Sequence, residues 1–175
     1  MSDITRPKRN SKKTILFTPE TAIRKSPRKS KKDFFTKKNV NPREVAIQKY
    51  IYDLNVVNTP KVVAYNPKTR VIKMENIPNL SVADYFGSKI EDVPEEIIEM
   101  IRKAVSIIYK AGVEFSDITG YNFLYDDKLD SIWVIDYGNA RFLEDIKSAE
   151  KGDFERDDFV EEFLDGLNSW NPAFL

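Results

Sequence analysis

Neither cysteine nor histidine occurs among the 175 residues. Without cysteine there can be no disulfide, no thiolate nucleophile and no cysteine–zinc site. Without histidine there is no Ser-His-Asp triad, no imidazole base and no histidine-bound metal. Any metal must therefore sit on oxygen ligands, which favours magnesium, manganese or calcium. No apolar run approaches about 18 residues, so no membrane span is expected. The basic N-terminus also lacks an apolar stretch of signal-peptide length. The default compartment is intracellular, cytoplasm or nucleus, with the virion as the alternative for a viral source.

What is present has the make-up of a globular domain. Apolar residues are 41% and charged residues 32%, too apolar for a wholly disordered chain. The formal net charge of zero hides an asymmetry. Residues 1–40 carry 13 Lys and Arg against Asp3, Glu20 and Asp33, and residues 41–175 carry 15 against 25 acidic residues. A basic arm thus precedes an acidic body. Clustered cations such as Arg6-Pro7-Lys8-Arg9 and Lys31-Lys32 suit a nucleic acid, an acidic partner surface or the chain's own acidic body. A solvated tail is the plainer reading.

Within residues 1–40, Lys13–Phe17 and Thr21–Lys25 read as a short hairpin, and 26–40 as basic loop. The first strong helix signal is Asn41-Pro42-Arg43-Glu44, an N-cap, a proline at the first helical position and a capping-box glutamate. Ile47, Tyr50, Ile51 and Leu54 follow at helical spacing, with Asn55 as the stop. Residues 61–65 and 70–75 form a hairpin around Asn66-Pro67-Lys68-Thr69. Ser81 caps a short helix that ends near Gly87. A long helix is expected over 93–111, capped by Asp92 with Glu95 and closed by Gly112. Phe123–Tyr125 and Ser131–Ile135 make another hairpin, and a last helix is expected over 154–168. The order predicts an α+β fold.

The chemistry concentrates in two places. Phe115-Ser116-Asp117-Ile118-Thr119-Gly120-Tyr121-Asn122 follows the long helix, and Ile135-Asp136-Tyr137-Gly138 follows the hairpin. An Asp-x4-Asn loop, a hairpin and then Asp-x-Gly is a phosphoryl-transfer pattern. That reaction needs a carboxylate to orient the attacking hydroxyl and oxygen ligands to hold magnesium against phosphates. Asp117 suits the first task, and Asn122 and Asp136 the second. Singly, each is an ordinary turn former or strand-end cap; their order and setting carry the signal.

These motifs resemble the protein-kinase-like superfamily, over about residues 41–142. They look most like its small atypical members and are similar to aminoglycoside and choline phosphotransferases. The resemblance implies a minimal two-lobe kinase-like fold with truncated N- and C-terminal lobes, ATP and Mg2+ as cofactors, and a protein substrate. It makes Glu44 the ion-pair glutamate of the regulatory helix, although its place in the capping box already explains it. Met74 falls at the gatekeeper, and Glu75 to Ile77 at the adenine-contacting hinge. The domain arrangement it implies is a basic arm over 1–40 and a kinase-like body over 41–175.

The departures are specific. The first glycine is Gly87, so the family's Gly-rich phosphate loop is absent. The basic strand residue that pairs with Glu44 is then sought in Arg24 or Lys25. Phe115 and Ser116 replace the His-Arg of the catalytic loop, and the segment from Asn139 to Asp153 is short for an activation loop. Two functions follow: a minimal ATP- and Mg2+-dependent phosphotransferase acting on protein Ser or Thr, or a catalytically dead, kinase-derived binding protein that docks in a larger assembly through its basic arm.

Overall fold

The computed structural model describes residues 34–146, and the helix expected over 154–168 and the hairpin expected over 13–25 lie outside them. Two cores organise these residues. A small one gathers Val40, Val45, Ile72 and Met74, and a large one is built around Ile97, Ile101, Val105 and Ile108 with Phe115, Phe123 and Tyr137.

The small core lies on a three-stranded antiparallel sheet of order β1-β3-β2, with β1 at Phe34–Lys37, β2 at Val62–Asn66 and β3 at Val71–Glu75. β1 corrects the basic loop expected over 26–40. Phe34, Phe35 and Thr36 are strong strand formers, and the surrounding lysines mask their signal. In register, Phe35 faces Met74 and Lys37 faces Ile72, so these four share one face of the sheet. The β2–β3 hairpin forms as expected.

Helix α1, Pro42–Leu54, starts and stops where its caps dictate. The Asn41 side chain accepts the Arg43 N–H at 2.9 Å, and Asn55 ends the helix in the left-handed region at φ 55°. The helix spans both cores, with Val45 in the small one and Ile47 and Ile51, both fully buried, in the large one. The loop after it is stitched to the second half of the chain. Val134 N–H donates to Asn58 O at 2.8 Å and Thr59 Oγ1 donates to Val134 O at 3.0 Å.

The chain crosses through residues 76–81 to α2, Val82–Phe86, which Ser81 caps through the Asp84 N–H. This crossing lies along strand β5, Phe123–Asp126, through Tyr125 N–H to Leu80 O and Asn79 Nδ2 to Tyr125 O. Helix α3 runs Glu95–Lys110, two residues later than the capping box implied. Pro94 is the reason: it disfavours helical backbone at Val93, which is extended, and Asp92 ends a short 3-10 turn instead. Gly112, at φ 92°, turns the chain out of α3.

Beyond α3, β4 (Val113–Glu114) pairs with β7 (Arg141–Phe142), and β5 pairs with β6 (Ser131–Val134) as the expected hairpin. The two short ladders hold the loop 115–122 and the segment 135–140 side by side. Among the described residues no helix is long and apolar enough to cross a membrane.

Candidate active site

Lys37 occupies the centre of the site. Its Nζ donates to Glu44 Oε1 at 2.8 Å and to Asp136 Oδ1 at 2.7 Å. The Glu44 side chain is 5% exposed, the Asp136 side chain 41%. Glu44 is thus a buried anion facing the sheet, spent on Lys37 rather than on a capping box. Burial of Lys37 works to lower its pKa, but the hydrogen bonds and charges of Asp136 and Glu44 outweigh that and raise it. The cation assigned to Glu44 is therefore Lys37; Arg24 and Lys25 lie outside the described residues. A signal existed in the sequence, the strand-forming Phe-Phe-Thr ahead of a lysine seven residues before Glu44, but the basic run hid it.

Asp136 ends the stretch after β6 with φ 59°, in the left-handed region that aspartate tolerates better than most residues. Its carboxylate accepts the Gly138 N–H at 3.2 Å. A Cβ on Gly138 would lie 3.1 Å from Asp136 Oδ1 and 3.6 Å from Glu44 Oε2, so glycine lets the backbone approach both carboxylates. Tyr137 points the other way, fully buried, with its ring edge-on to Phe115 at 5.5 Å. Phe115 and Tyr137 anchor the two loops on one another through the large core.

Asp117 and Asn122 meet within their loop: Asn122 Nδ2 donates to Asp117 O at 2.9 Å, leaving the Oδ1 end of the amide as its acceptor. Asn122 O accepts the Ile135 N–H at 2.9 Å, which brings the residue next to Asp136 onto the same loop. Asn139, a residue the sequence reading passed over, donates from Nδ2 to Asp117 Oδ2 at 3.1 Å. Lys37, Glu44, Asp136 and Gly138 are thus one cluster, and Asp117, Asn122 and Asn139 a second one, joined through residues 135–139.

Met74 and Glu75 lie on β3, and Ile77 follows that strand. Met74 is buried in the small core, where Gln48 Nε2 lies 3.6 Å from its sulfur and donates to Pro60 O at 2.9 Å. Glu75 exchanges bonds with Lys61, its N–H donating to Lys61 O at 2.9 Å and its Oε2 accepting Lys61 N–H at 3.2 Å. Ile77 is buried at the start of the crossing segment.

Among the described residues no group of three or more Asp, Glu, His or Cys could hold a metal. The donor set around Asp136 and Asn122 is one carboxylate and one amide oxygen. That fits Mg2+, which usually takes one or two protein oxygens and completes its shell with water and phosphate. The ammonium of Lys37, its side chain 30% exposed, stands beside the same carboxylate.

Lys37 is thus held between a buried glutamate and an exposed aspartate, beside the Asp-x4-Asn loop of Asp117 and Asn122. The chain belongs to the protein kinase domain family, whose pattern matches residues 17–160. Among solved structures it is similar to the kinase PK-1 of the Cydia pomonella granulovirus, at 18% identity and a TM-score of 0.45, over 62% of this chain and 43% of that one. The chain therefore spans less than half the length of that kinase. No curated protein matches it in sequence.

Proposed function

We propose that the chain is an ATP- and Mg2+-dependent phosphotransferase that acts on a protein Ser or Thr hydroxyl. The observation that carries the reading is the Lys37 bridge between Glu44 and Asp136, next to the loop bearing Asp117. Lys37 holds phosphate oxygens of the nucleotide, and buried Glu44 fixes where its ammonium sits. Met74, Glu75 and Ile77 border the adenine. Asp136 and Asn122 would hold Mg2+, which when bound neutralises phosphate charge.

Asp117 orients the acceptor hydroxyl and takes its proton. The hydroxyl oxygen then bonds to the γ-phosphorus, the bond from that phosphorus to its bridging oxygen breaks, and the electron pair leaves with ADP. Residues 1–33, the greater part of the basic arm, lie outside the described residues. We assign the arm of residues 1–40 to an acidic protein surface, with nucleic acid as the competing partner, on its charge alone.

A second reading rests on one observation: residues 1–86 hold no glycine, so they supply no glycine-rich loop for the phosphates. In that reading the chain keeps the fold and serves as a binding protein. Thermal-shift titration with ATP and Mg2+, followed by phosphate transfer to generic protein substrates and to the chain itself, separates the two. The transferase predicts a raised melting temperature, transfer by the wild type, and loss of transfer by about 10²–10⁴-fold in Asp117→Asn with nucleotide binding retained. Binding without transfer, or no binding, supports the second reading.

A further inference from the structure

The Asn139 side chain is exposed, yet its backbone is held on both sides. Gly138 N–H bonds to Asp136, and the buried Ala140 donates its N–H to Tyr137 O at 3.1 Å. Past it, Arg141 is opposite Glu114 in the β4–β7 ladder, and Arg141 Nε donates to Glu114 Oε2 at 2.6 Å. Beyond that two-pair ladder the two segments are joined again by the bond between Asn139 and Asp117. Asp117 is equally held, by Asn122 Nδ2 on its carbonyl and by the buried Phe115 and Ile118 on either side. The 3.1 Å bond from Asn139 Nδ2 to Asp117 Oδ2 therefore joins two fixed backbones across 22 residues of sequence.

We infer that Asn139 is a positioning residue for Asp117: its amide donor fixes the rotation of the carboxylate, occupying Oδ2 and turning Oδ1 toward the incoming hydroxyl. This rests on the reading of Asp117 as the carboxylate that receives the acceptor proton. An ionised carboxylate is acceptor-only, and rotation about its last bond is broad and soft. One fixed, charge-assisted donor removes that freedom. An amide has no charge, so it orients the group without the competing ion pair that a lysine would make.

The test uses Asn139→Ala and the isosteric Asn139→Asp in the full chain. In Asn139→Ala the expected result is a kcat lower by about 10–100-fold, as a displacement of about 1 Å costs on the order of 10²-fold, with KM for ATP unchanged. Asn139→Asp, equal in size but without a donor, falls at least as far. In the Asp117→Asn background Asn139→Ala costs nothing further. Without any turnover, the Asn139 side-chain amide resonances in the nucleotide-free protein shift on Asp117→Asn. Wild-type kcat in Asn139→Ala, or unshifted amide resonances, overturns the inference, and so does a parallel loss of kcat, ATP affinity and melting temperature. Wild-type activity in Asp117→Asn would instead remove the proposed function itself, so the two failures are distinguishable.

Discussion

Lys37 and Asp136 are 99 residues apart in the chain and joined by a 2.7 Å ion pair in the fold. Glu44, on the far side of the same ammonium, is buried. Strand β1, helix α1 and the segment after β6 therefore meet on this cation, and removing it has two separable effects.

Lys37→Met should lose most nucleotide affinity and also destabilise the fold, because Glu44 is left buried without its cation. Breaking a buried pair from one side costs about 3–5 kcal/mol. The 30% exposure of the Lys37 side chain brings that to about 1–3 kcal/mol. Urea denaturation of Lys37→Met and of Lys37→Met/Glu44→Gln gives the check: the double variant recovers stability and not nucleotide binding. Full stability in the single variant would mean that Glu44 has no need of Lys37.

Asp136→Asn should abolish the magnesium-dependent part of any nucleotide-induced thermal shift. Its side chain is 41% exposed, so the fold should change by less than about 1 kcal/mol. A magnesium-dependent shift of wild-type size in the variant would refute the assignment.

Gly138→Ala tests the close approach. The new methyl would lie 3.1 Å from Asp136 Oδ1, so the carboxylate must give way by a few tenths of an ångström. The expected outcome is an intact fold with nucleotide affinity in Mg2+ weakened several-fold, read by calorimetry. Unaltered affinity would show that the carboxylate position is not critical.

Alkaline pH should destabilise the protein, with Lys37, Tyr109 and Tyr137 among the groups responsible. Lys37 is raised above its ordinary 10.5, where hydrogen bonds and charges of Asp136 and Glu44 overcome the lowering effect of burial. Tyr109 and Tyr137 are raised above 10.0 mainly by burial. In each case the native state holds its proton longer than the unfolded chain. The stability these groups contribute is complete below about pH 10 and falls as pH rises beyond it. Tyr137→Phe, which keeps the ring against Phe115, should make the alkaline loss shallower while changing neutral stability little. An identical alkaline profile in the variant would count against Tyr137 as a contributor.

The main elements of the fold were legible wherever local chemistry decides them. Asn41 and Asn55 bracket α1 because a side-chain oxygen and a left-handed asparagine are strong local signals, and the two hairpins follow from their turns. Pro94 misled the start of α3 because a capping motif upstream competes with the backbone restriction a proline imposes on its predecessor. The roles proposed for Asp117, Asn122 and Asp136 came from order and spacing, which survive in the sequence. Lys37 and Asn139 did not show, because their partners are set by tertiary register rather than by neighbours. A lysine among lysines and an asparagine in a turn carry no local mark.

The short link between β1 and α1 has a mechanical consequence. Four residues separate Lys37 from Pro42, and three of their backbone groups are tied to the sheet: Val40 N–H to Arg70 O at 2.9 Å, Val40 O to Tyr65 Oη at 3.1 Å, and Asn39 O to Arg70 Nη2 at 3.1 Å. A chain of four residues reaches about 13–14 Å when fully stretched, and this one bends at Asn39, whose φ is 60°. Strand and helix are thus yoked, and Glu44 cannot swing off Lys37 like a door on a long hinge. Amide exchange at Val40 and Val45 should then rise and fall together as one cooperative unit.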